Sequence, residues 1–394
     1  MEQLFNASIG TSLRYIRLAK GYTLKEVSKE IGISTQYLAE IERCDKSVSY
    51  SYVNRILKFY KIDYKYNEED FYSGKERLEN CIHQILYENF EFEEEAFSLE
   101  NFSAGFIYDL IGDLLKKAFL AHNFDDFEFT SSLFETQILL FPDLGSSCYY
   151  FVKGLYNESK KKNIEARENY SKALLLMGED RMIEPLIRAN LSANYLRLKN
   201  PLEAAKETIV TIKISQERGI FKLATIMNMN LGIVFCYLKQ HQEAIKQFER
   251  TLLIAKRCKF KDIEEKISIN MCLATLCLEK YKDAAQMARE LQKKYPEYTE
   301  LEFSFVFSNL MQGIPVQYNK NSRLLKTHVK CINLISNHAS KEADVLYDES
   351  LKILKNIEDD YFLKLVLLRA LINIFEKKKN YDKAFTLLSY YQNT

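Results

Sequence analysis

One spacing returns four times between residues 154 and 288, and it constrains the fold more than any other feature. Gly154, Ala166 and Tyr170 are matched by Gly232, Ala244 and Phe248. Ser192 and Ala204 stand between them at the same separation, and Cys272, Ala284 and Ala288 follow. The four alanines are 38, 40 and 40 residues apart. Each unit has room for two helices, with a small residue on the first and an alanine on the second where they approach. A helix pair of this kind cannot bury both its faces alone, so successive pairs must stack. Five prolines and twelve glycines in 394 residues leave long stretches of good helix formers unbroken. The chain is all-α.

The segments Gly232-Ile233-Val234-Phe235 and Glu243-Ala244-Ile245-Lys246-Gln247-Phe248 resemble the tetratricopeptide repeat. Asn380-Tyr381-Asp382-Lys383-Ala384-Phe385 has the opening of the same second helix. The period exceeds the usual length of about 34 residues because the connections between repeats are longer. The resemblance implies a right-handed tetratricopeptide-like α-solenoid whose concave wall is made of first helices. Helices over 303–357 fill the space before the last unit less regularly.

The first 66 residues read differently. Thr23-Leu24-Lys25-Glu26 is a capping box, with Tyr22 and Val27 placed as its hydrophobic staple, and it opens a short helix over 24–31. Gly32-Ile33 turns the chain, Ser34 is an N-cap, and Leu38 and Ile41 share one face of the next helix. Two short helices around a glycine turn have the geometry of a helix-turn-helix, whose second helix enters the DNA major groove. Residues 8–62 resemble the Cro/C1-type helix-turn-helix of bacterial regulators and phage repressors. The resemblance rests on Leu13-Arg14, Arg17, Gly21, Thr23, Val27, Ile31, Gly32-Ile33-Ser34 and Ile41-Glu42, then Ser49 as N-cap with Val53, Ile56 and Leu57 inward. Cys44 stands where the family usually has glycine, Val48 where it has proline, and Leu24-Lys25 replaces the common opening of the second helix. The expected DNA interface is Arg14, Ser34, Thr35, Gln36, Tyr37, Glu40, Arg43 and Lys46. Thr35 and Gln36 are placed to reach base edges, and Arg14, Arg43 and Lys46 to contact phosphates. Arg17 and Glu42 are assigned to an internal ion pair.

A Cro/C1-type head followed by a long-period tetratricopeptide solenoid resembles the peptide-pheromone receptors of Gram-positive bacteria and their phages, the group containing Rgg, PlcR, NprR and the Rap proteins. That resemblance implies a cytosolic transcriptional regulator that binds palindromic double-stranded operator DNA as a homodimer. It also implies a short apolar signalling peptide held in the solenoid groove. Two alternatives stay open: a solenoid that mainly binds a protein partner of the response-regulator kind, and a repressor whose solenoid only dimerises. The expected domains are 1–66 for the head, 67–75 for a polar, aromatic linker, and 76–394 for the solenoid. Helices are expected over 75–87, 92–100, 104–121 and 124–140, the last closed by Phe141-Pro142-Asp143.

The groove has candidate residues of its own. Asn190, Asn230 and Asn270 fall at one helical phase in three consecutive repeats, two residues before the small position. A side-chain amide matches the donor and acceptor of a peptide unit. The three either clamp a peptide backbone or bond between repeats. Ile226, Met229, Ile233, Ile269 and Leu273 are the apolar positions around them. Lys266 is either a partner for a peptide carboxylate or an ordinary exposed lysine.

Charge supports the division at the head. Residues 1–65 carry eleven Lys/Arg against seven Asp/Glu, whereas residues 66–103 carry two against eleven. A basic head beside an acidic collar fits a phosphate-binding module that ends sharply, and a solvated acidic helix face fits the collar equally. Eight scattered cysteines without a C-x-x-C pair read as buried free thiols of a reducing compartment. No cationic leader or long apolar span is present, so no membrane association is expected. The five histidines are isolated, and no phosphate-binding glycine loop, zinc motif or nucleophile motif occurs. Neither metal, cofactor nor catalytic residue is expected, and the reading is of a binding protein rather than an enzyme.

Overall fold

A computed structural model describes residues 2–47, 49–62, 69–87, 105–125, 127–134, 144–179, 181–316, 324–357 and 360–392. The helix expected over 92–100, most of the acidic collar, Val48 and Phe141-Pro142-Asp143 lie outside the described residues. Those that are described form twenty α-helices, a 3-10 turn at His338–Ser340 and no strand. They fall into two compact units, Met1–Asn194 and Tyr195–Thr394.

In the first unit, α1 (Glu2–Ala19), α2 (Leu24–Ile31), α3 (Thr35–Glu42) and α4 (Tyr50–Phe59) make the head. Its core is Ile9, Leu13, Ile16, Val27, Ile31, Leu38, Ile41, Val53, Ile56 and Leu57, all buried. These are the inward positions of four amphipathic helices. After them come α5 (Glu69–Tyr87), α6 (Phe106–Leu120), α7 (Phe127–Phe134), α8 (Leu144–Ser159), α9 (Asn163–Leu175) and the start of α10 (Glu184–Arg197).

The linker expected over 67–75 is helical from Glu69 onward. Local preference is overridden there by packing. A Cβ on Gly74 would lie 2.5 Å from the Gly105 Cα, so α5 is pressed against the start of α6 at the one residue that allows it. The head is also not a separate unit by contact. Helix α1 packs on α6 and α7, with the Tyr15 ring 5.6 Å from both Phe106 and Phe129.

The second unit contains α11 (Pro201–Glu217), α12 (Phe221–Tyr237), α13 (His241–Arg257), α14 (Lys261–Cys277) and α15 (Tyr281–Lys294). It continues with α16 (Thr299–Met311), α17 (Lys326–Ser336), α18 (Ala343–Asn356), α19 (Tyr361–Lys377) and α20 (Tyr381–Gln392). Consecutive helices from α11 to α16 pack side by side as the repeats require. Ala166, Ala204, Ala244 and Ala284 are each wholly buried.

The repeat spacing has a size rule behind it. A Cβ on Gly154 would lie 2.3 Å from Cε1 of Tyr170, and one on Gly232 would lie 2.4 Å from Cε1 of Phe248. The ring sixteen residues on therefore rests directly on the glycine backbone. In the next unit the small residue is Cys272, the ring is replaced by Ala288, and both are fully buried in one cluster. Volume removed at one position is restored at the other, as a close-packed interior demands.

The last hairpin does something the repeat pattern does not foretell. Helices α19 and α20 fold onto the C-terminal ends of α12 and α14. The Tyr361 hydroxyl donates to the Cys236 carbonyl at 2.9 Å, and its ring stacks on Tyr237 at 3.8 Å between centroids. Arg369 donates to the Cys277 carbonyl and pairs with Glu279, and Asn373 Nδ2 donates to Glu279 at 2.8 Å. Lys239 Nζ donates to the Tyr391 carbonyl at 2.5 Å.

Candidate nucleic-acid interface and ligand groove

The recognition helix is held at both ends by local chemistry. The Thr23 side chain accepts from the Glu26 amide, and Glu26 accepts in return from the Thr23 amide at 2.7 Å, which completes the capping box on α2. Gly32 ends that helix, and Ser34 Oγ accepts from the Tyr37 amide at 3.0 Å to begin α3. At the far end Cys44 takes φ 65°, the left-handed conformation that glycine usually supplies, and the Asp45 amide reaches back to the Glu40 carbonyl at 2.9 Å. The substitution of cysteine for glycine thus keeps the turn and adds an Sγ contact to Thr11. Ser49 does occupy the N-cap of α4, but its hydroxyl makes no capping hydrogen bond.

Beneath α3 the expected ion pair is present. Arg17 Nε and one terminal nitrogen donate to the two Glu42 carboxylate oxygens at 2.6 and 2.7 Å, and the other terminal nitrogen donates to the Tyr22 carbonyl at 2.9 Å. Both side chains are buried, 8% and 3% exposed. A bidentate pair of this kind fixes the orientation of α3 against α1 as well as its distance.

Thr35 and Gln36, in the first turn, are exposed, and Tyr37 is half-buried against Tyr52. Glu40 is the hub of the outer face. It accepts from Gln36 Nε2 at 3.1 Å and pairs with Lys46 at 2.7 Å, and these bonds hold its carboxyl below the usual range. Arg43 pairs with Asp45 at 2.8 Å with both side chains more than half exposed. Arg14 is half-buried on α1. Two of the three cations expected to meet phosphates, Arg43 and Lys46, therefore rest on acids with their own side chains more than half exposed, in pairs that water screens, so they can exchange those acids for a phosphate. On this geometry Lys46→Ala should weaken binding to every duplex alike and flatten the slope of log K against log salt by about one unit. Gln36→Ala should instead relax the preferred sequence, since a glutamine–adenine pair discriminates by about 1–3 kcal/mol. Binding-site selection on both variants checks this; an unchanged selected motif for Gln36→Ala would remove Gln36 from the reading positions.

The groove positions fare unevenly. Asn190 lies in the first unit and donates to the Leu186 carbonyl of its own helix at 2.9 Å. Asn230 and Asn270 lie in the second unit on α12 and α14, which pack against each other. Both are half-buried. The Asn230 amide reaches only the Met227 sulfur, at 3.6 Å, and Asn270 makes no hydrogen bond among the described residues. Bonding between repeats is therefore not what these two amides do.

The apolar wall is partly withdrawn from solvent. Met229 and Ile269 are 8% and 6% exposed and belong to core clusters, so they offer little surface to a ligand. Ile226 and Ile233 pack on the Met229 cluster together with Phe362 of α19. Phe362 of the chain's own C-terminal hairpin takes part in burying the surroundings of Met229, and period alone cannot say which neighbour buries a face. Leu273 is half-buried and lines a cavity of about 180 Å³ with Leu276, Phe303, His328, Phe362 and the carboxylates Glu300 and Asp360. Lys266 is exposed on α14. Sequence reasoning missed α19 and this cavity; the only signal was the acid–aromatic pair Asp360-Tyr361-Phe362 at a helix start.

Six of the eight cysteines are buried, Cys44 is half-buried and Cys258 exposed; all are free. Burial raises the thiols of Cys81, Cys236, Cys272, Cys277 and Cys331. Among the described residues no helix is long and apolar enough to cross a membrane, and no group of three or more metal-ligating side chains assembles.

Comparison with known proteins agrees with this architecture. Residues 13–67 match the helix-turn-helix family. No curated protein matches the sequence. Among solved structures, a Rap protein complexed with competence and sporulation factor is 14% identical, with 82% of this chain and 93% of that one covered at a TM-score of 0.55. The apo form of RapI is 14% identical over 79% and 98%, at 0.52. Aspartyl phosphate phosphatase F from Bacillus subtilis is 14% identical over 100% and 94%, at 0.53. The chain therefore carries a Cro/C1-type helix-turn-helix head and shares the tetratricopeptide-like helical solenoid of the Rap structures.

Proposed function

We propose that the chain is a cytosolic transcriptional regulator that binds operator DNA as a homodimer and is switched by a short peptide held against α12 and α14. The observation that carries the ligand half is the pair Asn230 and Asn270: two half-buried amides on adjoining first helices, which among the described residues have a sulfur partner and none, respectively. A polar group on an apolar wall needs a partner, and a peptide backbone offers one donor and one acceptor per residue. Helices packed about 8–10 Å apart meet an extended chain, which advances about 3.3 Å per residue, at every third residue. The amides thus fix the backbone without reading its sequence. The head half rests on the exposed first turn of α3, and one short recognition helix reads too few base pairs unless two heads pair.

The Rap protein complexed with competence and sporulation factor has the same fold, which is in keeping with a ligand-binding solenoid. No residue of this chain is assigned a catalytic role. Asn230→Ala should weaken binding of a secreted, apolar-tailed peptide encoded beside the gene about tenfold or more, because each lost bond leaves a desolvated peptide group worth about 1–3 kcal/mol. The peptide-free variant should bind DNA as the parent does, since a ligand acts only through its differential affinity for two states. Calorimetry and a gel shift on one preparation test both statements. Unaltered peptide affinity in a folded Asn230→Ala/Asn270→Ala variant would sink the clamp, and a monomeric full-length chain in sedimentation at micromolar concentration would sink the dimer.

A further inference from the structure

A second groove runs along α15, the second helix of its pair, away from the first-helix amides. Lys282, Gln286, Arg289 and Lys293 recur at helical spacing, so they share one face of α15, and all four are exposed. On the other side are Phe305, Asn309 and Gln312, at one phase of α16, which packs against α15. The groove has a volume of about 500 Å³, inside the range of about 300–1,000 Å³ in which small molecules are held. Its rim is fixed by the way α16 ends. Gly313 takes φ 75° and its amide donates to the Leu310 carbonyl at 3.0 Å, while the Ile314 amide donates to the Asn309 carbonyl at 2.9 Å. That double closure holds Ile314 at the edge of the lining.

The charges on the α15 side are unanswered. Among the described residues Lys282, Arg289 and Lys293 make no ion pair or side-chain hydrogen bond, whereas the neighbouring Lys294 pairs with Glu264 at 3.3 Å. The one carboxylate in the lining, Glu290, accepts from Gln286 Nε2 at 3.1 Å. Arg289 and Lys293, four residues apart, repel each other, and an anion between them removes that cost. The α16 side has a different chemistry. Asn309 Nδ2 donates to the Phe305 carbonyl at 2.8 Å and Gln312 Nε2 to the Ser308 carbonyl at 3.0 Å. Each amide therefore keeps its oxygen and a second N–H for a ligand. The half-buried Phe305 ring and Ala285, 8% exposed, supply apolar surface. Cations on one wall, paired donors and acceptors on the other and a ring between them select several negative charges joined to a flat group with a polar edge.

We infer that the groove between α15 and α16 is a binding site for a nucleoside triphosphate. The phosphate chain lies along α15, where the Arg289 fork takes two oxygens and Lys282 and Lys293 act as point charges on either side. The base rests against Phe305 and turns its edge to Asn309 and Gln312. The inference goes beyond the peptide reading and does not depend on it, because Asn230 and Asn270 stand on α12 and α14.

The test is calorimetry on the full-length protein without added metal. ATP, GTP, CTP and UTP are the probes, and tripolyphosphate and the four free nucleosides present the two halves separately. At least one nucleotide should bind, at least tenfold more tightly than tripolyphosphate and than its own nucleoside. The variant Arg289→Gln/Lys293→Gln should lose at least tenfold for that nucleotide. Both side chains are exposed and glutamine is a good helix former, so an unchanged melting temperature certifies the fold. No binding by any nucleotide, equal affinity for tripolyphosphate, or full affinity in the folded double variant would each overturn the site. A glutamate-rich peptide that binds through Arg289 and Lys293 more tightly than every nucleotide would also overturn it, since the groove would then be a protein-docking surface. Nucleotide binding in a protein that takes up no peptide would keep this site and remove the peptide reading.

Discussion

Glu42→Ala should leave the head unfolded and abolish DNA binding in a chain whose second unit still melts normally. Glu42 and Arg17 are both buried and bonded bidentately, so removing the carboxylate strands a guanidinium that keeps only the Tyr22 carbonyl. Breaking such a pair from one side costs about 3–5 kcal/mol. Domains are stable by about 0.05–0.15 kcal/mol per residue, so the share of some 60 head residues within the first unit is roughly 3–9 kcal/mol. The effect is therefore comparable to the head's whole share of that stability. The double variant Arg17→Met/Glu42→Leu should recover most of that loss, because replacing both partners by apolar groups leaves no buried charge behind. Urea unfolding followed at the head, with a gel shift on the same samples, checks both. A folded, DNA-binding Glu42→Ala protein would mean that the pair is not what orients α3.

The second large effect is expected at Gly232. A cysteine there, as at the corresponding Cys272, should destabilise the second unit by about 1–3 kcal/mol, because its Cβ alone would lie 2.4 Å from a carbon of the fully buried Phe248 ring. Helix propensity acts the other way by less than about 1 kcal/mol, so the overlap decides the sign. Phe248→Ala alone should cost about 3–5 kcal/mol through the cavity it opens. The pair Gly232→Cys/Phe248→Ala reproduces the Cys272 and Ala288 combination of the next repeat and should be less damaging than the sum of the two, by about 1–3 kcal/mol. For a unit of this length each kcal/mol shifts the midpoint by about 2–4 °C, which thermal melts resolve. Strict additivity would show that the glycine and the ring are not one packing decision.

Much of this protein was legible before any coordinates. The capping box at Thr23 and Glu26 and the cap at Ser34 are signals carried by residues within a few positions of one another, and local chemistry suffices to read them. The left-handed conformation of Cys44, where the family usually has glycine, is seen only in the structure. The repeat was legible for a related reason. A small residue and an alanine twelve positions on record one helix pair folded on itself, and four copies, two of them with a glycine under a ring, fixed the register. Even the Arg17 to Glu42 pair, 25 residues apart, was assigned across two helices of the helix-turn-helix pattern, and the structure contains it.

Tertiary structure alone decided which neighbour covers each apolar face. Met229 and Ile269 carry the same periodic signal as residues that line a groove, yet they are buried in clusters of the core. Phe362, some 130 residues further along the chain, packs onto the first of these because α19 folds back onto α12, and Tyr361 reaches the Cys236 carbonyl across 125 residues. Likewise residues 69–75, expected as linker, belong to α5, where Gly74 packs on Gly105. Periodicity reports that a face must be buried and is silent on its partner. The partner is chosen by shape and by hydrogen bonds between segments that share no local signal, and that choice exists only once the chain has closed on itself.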